Sequence, residues 1–134
     1  MRNLYSKVGE MEFDGLVTDI NPAPIVRGGT IRKLAAAATL VRGTVLAKSS
    51  GTGGDGKLVI LGTTAGSNET LTADCILCDD VEVGTSDDVT VPVYVVGCFD
   101  PDKCTVASGY TVTEDDKDHL RERGILFKAA SDAE

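Results

Sequence analysis

The clearest pattern in the chain is an alternation of side chains over residues 88–100, whose sequence is DVTVPVYVVGCFD. Valines occupy every second position from Val89 to Val95, and Tyr94 lies on the opposite face, as expected for a β-strand. Because both faces are largely apolar, this strand needs cover on both sides, from a barrel or from another subunit. Pro92 has no backbone N–H to donate, so an edge or a bulge is expected beside it.

Other segments predict further strands and several turns. Residues 39–48, bent at Gly43, and residues 57–62 predict a hairpin around a glycine-rich turn. A short apolar centre lies within residues 71–83, and residues 105–113 predict a last short strand. Residues 31–38, IRKLAAAA, fit either a helix or a strand, because alanine favours a helix but eight residues are few for one.

One helix is predicted after residue 113. Thr113 is placed to cap it, and Asp116 lies at its third position. Arg121 and Arg123 suit the negative end of the helix dipole, and Gly124 suits the position just past the end. The apolar residues 125–127 then predict a final strand or plug.

Residues 1–29 are predicted to form an extended N-terminal arm, and residues 30–134 a single β-rich domain. In the arm, charges alternate with isolated apolar side chains, and Asn-Pro-Ala-Pro at residues 21–24 imposes an extended path. Two interpretations stay open, a poorly ordered terminus and an arm that becomes ordered on a partner.

Composition excludes several classes of function. Thirteen basic residues against 21 acidic ones leave a net charge of -8 on 134 residues, with no basic patch, so no nucleic-acid partner is predicted. No apolar run approaches the roughly 20 residues of a membrane helix, and no membrane partner is predicted. The charged N-terminus is unlike a signal peptide and predicts assembly in a cytoplasm, where the four cysteines are expected to be reduced.

The search for chemistry predicts no catalytic, cofactor or metal site. Residues 51–57 fit GxxxxGK, but Leu58 stands where a phosphate loop needs Ser or Thr, and a strand follows instead of a helix. Cys75 and Cys78 pair as CxxC, but Cys98 and Cys104 are too far apart for a second knuckle. The lone histidine, His119, has no nucleophile near it in sequence. The acidic pairs at 79–80, 87–88 and 115–116 suit turns and caps.

Four segments in order resemble the head decoration proteins of tailed bacteriophages, the lambda-type capsid-stabilising family. They are Leu40–Leu46 (LVRGTVL), Ala73–Leu77 followed by Asp79-Asp80-Val81, Val93–Gly97 with Phe99, and Leu120–Phe127. Together they span residues 40–127. The four cysteines and the acidic helix match no pattern of that family.

The resemblance implies a mainly β fold, a small compact β-barrel-like or β-tulip domain with an extended N-terminal arm and one short C-terminal helix. It implies a homotrimer on the outer surface of the expanded virion capsid, bound to the major capsid protein, with no enzyme activity and no cofactor. In such proteins the N-terminal segment contacts the shell, often by strand addition. The residues predicted to contact the capsid are Met11, Phe13, Leu16, Val17, Ile20, Pro22 and Pro24.

Two alternatives from other classes stay open at this point. One is a small zinc-binding module that uses the four cysteines. The other is a different phage structural part, such as a tail or neck component with a similar small β domain.

Overall fold

The computed structural model describes residues 15–19 and 23–128. Within these residues the chain forms nine strands and one α-helix, and a short 3-10 turn, Pro101–Lys103, follows the longest strand. In chain order the elements are β1 (Val17–Asp19), β2 (Ile25–Ile31), β3 (Ala38–Leu40), β4 (Val45–Ser50), β5 (Leu58–Ile60), β6 (Thr70–Leu77), β7 (Val81–Val83), β8 (Val89–Phe99), α1 (Glu114–Arg123) and β9 (Ile125–Phe127).

Five of the strands close into a barrel, which confirms the predicted mainly β, barrel-like fold. Around the barrel the order is β8, β2, β5, β4, β6 and back to β8. All these pairings are antiparallel except the one between β2 and β5, which is parallel. β3 and β7 form a separate two-stranded antiparallel ribbon. A closed barrel hides the edges of its strands from solvent wherever their neighbours run alongside.

β8 is the strand around which the fold is built, as its alternating pattern predicted. Its first part pairs with β2 and β6 inside the barrel, and its last three residues pair with β1 and β9 in a second, smaller sheet. The change of sheet occurs at Gly97, whose φ of +149° suits glycine and whose absent Cβ would lie 2.9 Å from the ring of Phe99. Within this chain both faces of β8 are covered around Tyr94 and Phe99, whereas Thr90 and Pro92 remain exposed on one face near its start.

Pro92 lies where the pairing of β8 with β6 ends, which agrees with the edge predicted beside it. The last paired residues are Leu77 and Val93, and the carbonyl of Pro92 accepts a hydrogen bond from the N–H of Cys78 at 3.2 Å. In an antiparallel pair the N–H and C=O of one residue point to the same side. The N–H that proline lacks would thus face the end of β6, so its absence costs no ladder bond.

The predicted hairpin is present as β4 and β5, joined by the glycine-rich turn. The bend at Gly43 is sharper than predicted and splits residues 39–48 into β3 and β4. Its φ is +95°, and a Cβ there would lie 2.7 Å from the carbonyl oxygen of Lys103. A side chain at this position would be strained by both the backbone angle and the contact.

The structure resolves the open choice at residues 31–38 and differs from the strand predicted over residues 105–113. Residues 31–38 contain no helix, because Ile31 completes β2 and the alanines lead into β3 on the surface. Residues 105–113 form no strand apart from a single bridge between Thr44 and Thr105. This segment instead turns back over the barrel, where the Ala107 N–H donates to the Leu61 carbonyl and the ring of Tyr110 covers Gly62.

The helix begins and ends where the sequence predicts. The Thr113 hydroxyl accepts from the N–H of Asp116 at 3.1 Å, and the Asp116 carboxylate accepts from the N–H of Thr113 at 3.0 Å, a complete capping box. Gly124 ends the helix in the left-handed conformation, and β9 follows at once beside β8. The core is mostly Val, Leu and Ile, with Tyr94 and Phe99 packed at its centre, 5.1 Å between their rings.

Candidate functional site

The residues predicted to contact a capsid fall into two groups. Leu16 is only 2% exposed and its carbonyl accepts from the N–H of Asp100, so its side chain belongs to the core. Val17 is half-buried in β1, and Pro24 is half-buried with its Cα near Gly97. The others lie outside the described residues: Met11, Phe13, Ile20 and Pro22. The boundary predicted between residues 29 and 30 falls inside β2.

β2 has an open backbone edge that the sequence pattern did not reveal. Its pairing with β5 involves a single residue pair, Ile31 with Leu58, whereas it pairs with β8 along its whole length. Gly28 lies opposite Pro92 in the pairing of β2 with β8. The Pro92 carbonyl accepts from Cys78 and therefore points away from β2, so these two residues do not bond to each other. The N–H and C=O of Gly28 consequently point away from β8, toward the open edge. By the same alternation Val26 presents its backbone groups to this open edge. The β-branched residues on either side of the glycine pair were the available signal for this strand.

A groove of about 240 Å³ runs along the open edge of β2. Its apolar lining includes Leu58, Val93 and Val95, and Arg27 and Lys48 are cations in its wall. Neither cation forms an ion pair with another described residue. Asp74 also lines the groove, but it is paired with Arg123 at 3.0 Å. Two cations thus remain in the groove without an acidic partner among the described residues, on a chain whose net charge is -8.

The exposed side of β2 is unusually apolar. Ile25 and Val26 are each 47% exposed. Gly28 has an ordinary φ, and a Cβ there would meet only the Thr90 methyl at 3.8 Å, so the described fold has no steric need for glycine at this position. We call the surface formed by residues 25–28, Lys48 and the groove the β2 edge patch.

The β3–β7 ribbon carries a second open surface. A shallow cavity of about 370 Å³ is lined by six of its residues, Ala37, Ala38, Thr39, Glu82, Val83 and Gly84. Beside it Val41 is 44% exposed. Glu82 is exposed and forms no ion pair with a described residue, and Asp79 and Asp87 stand exposed on either side of β7. We call this surface the ribbon patch.

The GxxxxGK segment is the hairpin loop between β4 and β5, and its contacts are structural. Asp55 within it accepts from Nε of Arg32 at 2.9 Å, and Arg32 also reaches Glu69 at 2.5 Å. The hydrogen bond from Arg32 lowers the pKa of Asp55 to about 2. The pKa of Glu69 is also lowered to about 2, first by the Gly66 N–H, then by the Ser49 hydroxyl and Arg32. The loop is held in place by these ionic contacts and leads into the strand β5, whereas a phosphate loop leads into a helix.

The four cysteines are free thiols in separate places. Burial raises the pKa of Cys104 to about 12, and burial also raises the pKa of Cys75, Cys78 and Cys98. Among the described residues no three His, Cys, Asp or Glu side chains converge as metal ligands. His119 is exposed on α1. The structure thus does not assemble the zinc site of the alternative hypothesis.

The acidic pairs predicted for turns and caps hold backbone groups in place. Asp80 accepts from the N–H of Arg42 at 2.7 Å, and Asp88 accepts from the N–H of Lys33 at 2.8 Å. Asp116 belongs to the capping box and also accepts from the Tyr110 hydroxyl. In the described part of the chain, no helix is long and apolar enough to cross a membrane.

Comparison with known families decides between the remaining hypotheses. The family model of bacteriophage lambda head decoration protein D matches residues 27–125. This chain belongs to that family. The match runs from the third residue of β2 to the first residue of β9 and so contains the barrel apart from Ile25 and Val26, together with the ribbon and α1. No curated protein sequence matches the chain.

Family membership confirms the resemblance found in the sequence and extends it from residue 40 back to residue 27. The head decoration family is structural and not enzymatic, and it implies a place on the virion capsid. It favours a head component over the tail or neck part that was the second alternative.

Proposed function

We propose that this protein decorates the exterior of the expanded phage capsid, where it binds the major capsid protein as a homotrimer and stabilises the shell. The observation that carries the proposal is the family match over residues 27–125. Its acidic net charge of -8 agrees with a structural role in which the protein is soluble at high concentration. Assembly in the host cytoplasm is part of this proposal.

The N-terminal segment is the part that we propose to contact the shell. β1 roots this segment, because Leu16 is buried in the core and Val17 pairs with Phe99 of β8. Residues that precede this anchored strand, Met11 and Phe13 among them, are proposed to bind the shell by strand addition, which satisfies backbone groups at a sheet edge. Ile20, Pro22 and Pro24 extend the proposed contact. Leu16 and Val17 act as its anchor.

Many such contacts repeated over a shell give a large total stabilisation, even when each is weak. Each trimer would join several capsid subunits, so that loss of one contact leaves the others in place. The protein therefore needs only modest affinity at each arm.

The proposal is tested by mixing the purified protein with undecorated, expanded capsids of the matching phage and imaging them by electron microscopy. We expect protrusions at three-fold and quasi-three-fold positions. A chain lacking residues 1–14 should keep the oligomeric mass of the full chain and lose decoration. Bare capsids after incubation with the full chain would contradict the proposed function, and full decoration by the shortened chain would contradict the role of the arm.

A further inference from the structure

Two surfaces of the described fold are left without partners, the β2 edge patch and the ribbon patch. Together they hold all three large hydrophobic side chains that are exposed in the described residues, Ile25, Val26 and Val41. Exposed apolar clusters rimmed by polar residues are typical of protein-binding surfaces. Both patches also offer free strand edges, since β2 is open over most of its length and β7 pairs only with β3.

The two patches carry opposite charges. Arg27 and Lys48 in the β2 edge patch have no acidic partner among the described residues, and Glu82 in the ribbon patch has no basic one. Asp79 and Asp87 add to the negative side. On a chain of net charge -8, two copies repel unless an acidic surface of one meets a basic surface of the other.

We propose that the ribbon patch of one copy docks on the β2 edge patch of the next copy, with Glu82 facing Arg27, and that this contact is the seam of the trimer. The inference rests on the proposed function, which supplies the trimer. Contact between two different patches of the same chain is heterologous, and three such contacts close into a ring when neighbouring copies are related by a three-fold axis. A ring of three uses each patch once per copy and leaves none exposed.

Two glycines support a close approach at this seam. Gly28 in the β2 edge patch has an ordinary φ, and a Cβ there would make only an ordinary contact with the Thr90 methyl at 3.8 Å. Gly84 in the ribbon patch has neither a positive φ nor any atom within 4 Å of its Cβ position. Glycine inside a strand costs roughly 0.5–1 kcal/mol relative to alanine. Neither glycine is required by the described fold, and both would let backbones of neighbouring copies come together.

The occupant is a second copy of this chain because both halves of the contact lie on it. The ribbon brings an exposed carboxylate, small side chains and a free strand edge, and the groove offers cations, an apolar lining and a free strand edge. Pairing of the two edges would continue the sheet from one subunit to the next, as in strand addition. A capsid segment on the β2 edge patch is the competing occupant that the experiment separates.

The test is a charge swap measured by native mass spectrometry and sedimentation. We expect Arg27→Glu and Glu82→Arg each to weaken trimer association by roughly tenfold or more, because each places like charges at the seam. The double variant R27E/E82R should restore the association to within a few-fold of the unaltered chain. The matched controls Lys103→Glu and Glu122→Arg change the same charges on exposed residues outside both patches and should leave the trimer intact.

The outcomes separate the seam from the function. Single variants that stay fully trimeric, or a folded double variant that fails to recover, would overturn the seam and leave the proposed function standing. A trimeric Arg27→Glu variant that no longer decorates capsids would show that this patch faces the capsid, which also overturns the seam. If the unaltered chain is monomeric both in solution and on capsids, the trimer in the proposed function is contradicted together with the seam. Circular dichroism of each variant shows that it is folded.

Discussion

Arg32 joins three parts of the chain that are far apart in sequence. It follows β2, binds Asp55 in the loop between β4 and β5, and binds Glu69 in the loop before β6. The guanidinium reaches both oxygens of Asp55, the two-point geometry that makes arginine pairs with carboxylates strong. Ser49 donates to Glu69 from the same side. One side chain thereby fixes two glycine-rich loops that have few apolar residues to hold them.

These bonds predict an acid-dependent stability. The folded-state pKa of Asp55 and of Glu69 is about 2, below the usual 3.8 and 4.5, so their contribution is fully present above about pH 4.5 and is lost as the pH falls through about 2. Arg32→Met should make the free energy of unfolding fall less steeply over this interval. Urea unfolding at a series of pH values measures the slope.

Arg121→Met is the matched control, because it removes an exposed ion pair within one helix turn. Its pH slope should equal that of the unaltered chain. An Arg32→Met protein with the unaltered slope would show that Gly66 and Ser49 alone hold the carboxylates ionised.

At the scale of elements, α1 is stabilised by its ends more than by its faces. Only Asp116 and Leu120 are buried in it, so its contact with the core is narrow. The capping box and Gly124 satisfy backbone groups that a helix leaves free at its ends. Arg123 adds a link from the last turn to Asp74 on β6 at 3.0 Å.

Removal of the cap should therefore have a measurable cost. Thr113→Ala deletes the hydroxyl that accepts from the N–H of Asp116, and we expect the free energy of unfolding to fall by about 1 kcal/mol. Chemical denaturation measures the change. Thr111→Ala, on an exposed threonine of the preceding loop, should leave the stability within about 0.5 kcal/mol. Equal losses in the two variants would contradict the capping role.

At the scale of the whole molecule, the proposed arms and the proposed seam act together. An arm held in a trimer binds the shell alongside two others, and such linked contacts exceed a single one by roughly 10²–10⁴-fold in affinity. The seam then controls capsid binding even though it does not touch the capsid. If the trimer is needed for decoration, weakening the seam should also weaken capsid binding. If the trimer forms but is not needed, capsid binding should be unchanged.

The coupling predicts how a seam variant behaves on capsids. Arg27→Glu keeps an intact arm, but at concentrations where its weakened seam leaves it monomeric it should bind expanded capsids at least roughly 100-fold more weakly than the trimeric unaltered chain, because it binds through one arm. R27E/E82R should recover the affinity. Titration of labelled protein onto capsids, followed by sedimentation of the capsids, gives the comparison. A monomeric variant with undiminished affinity would contradict the need for linked arms.

Features that depend on neighbouring residues were predictable from the amino-acid sequence. The two-residue period identified β8, because alternate side chains of a strand must face opposite sides. The helix was predicted to the residue, because Thr113, Asp116 and Gly124 satisfy helix ends through their own side chains and backbone. Ordered segments within residues 40–127 also sufficed to indicate the family.

Features that depend on contacts between residues distant in sequence became apparent only in the folded chain. The buried position of Leu16 follows from its contact with the turn after β8, and the use of residues 25–31 as a barrel strand follows from pairing with β8. The open edge of β2 exists because β5 is too short to cover it, and no pattern within β2 encodes the length of another strand. The patches that we propose as the trimer seam could therefore be seen only in the folded chain.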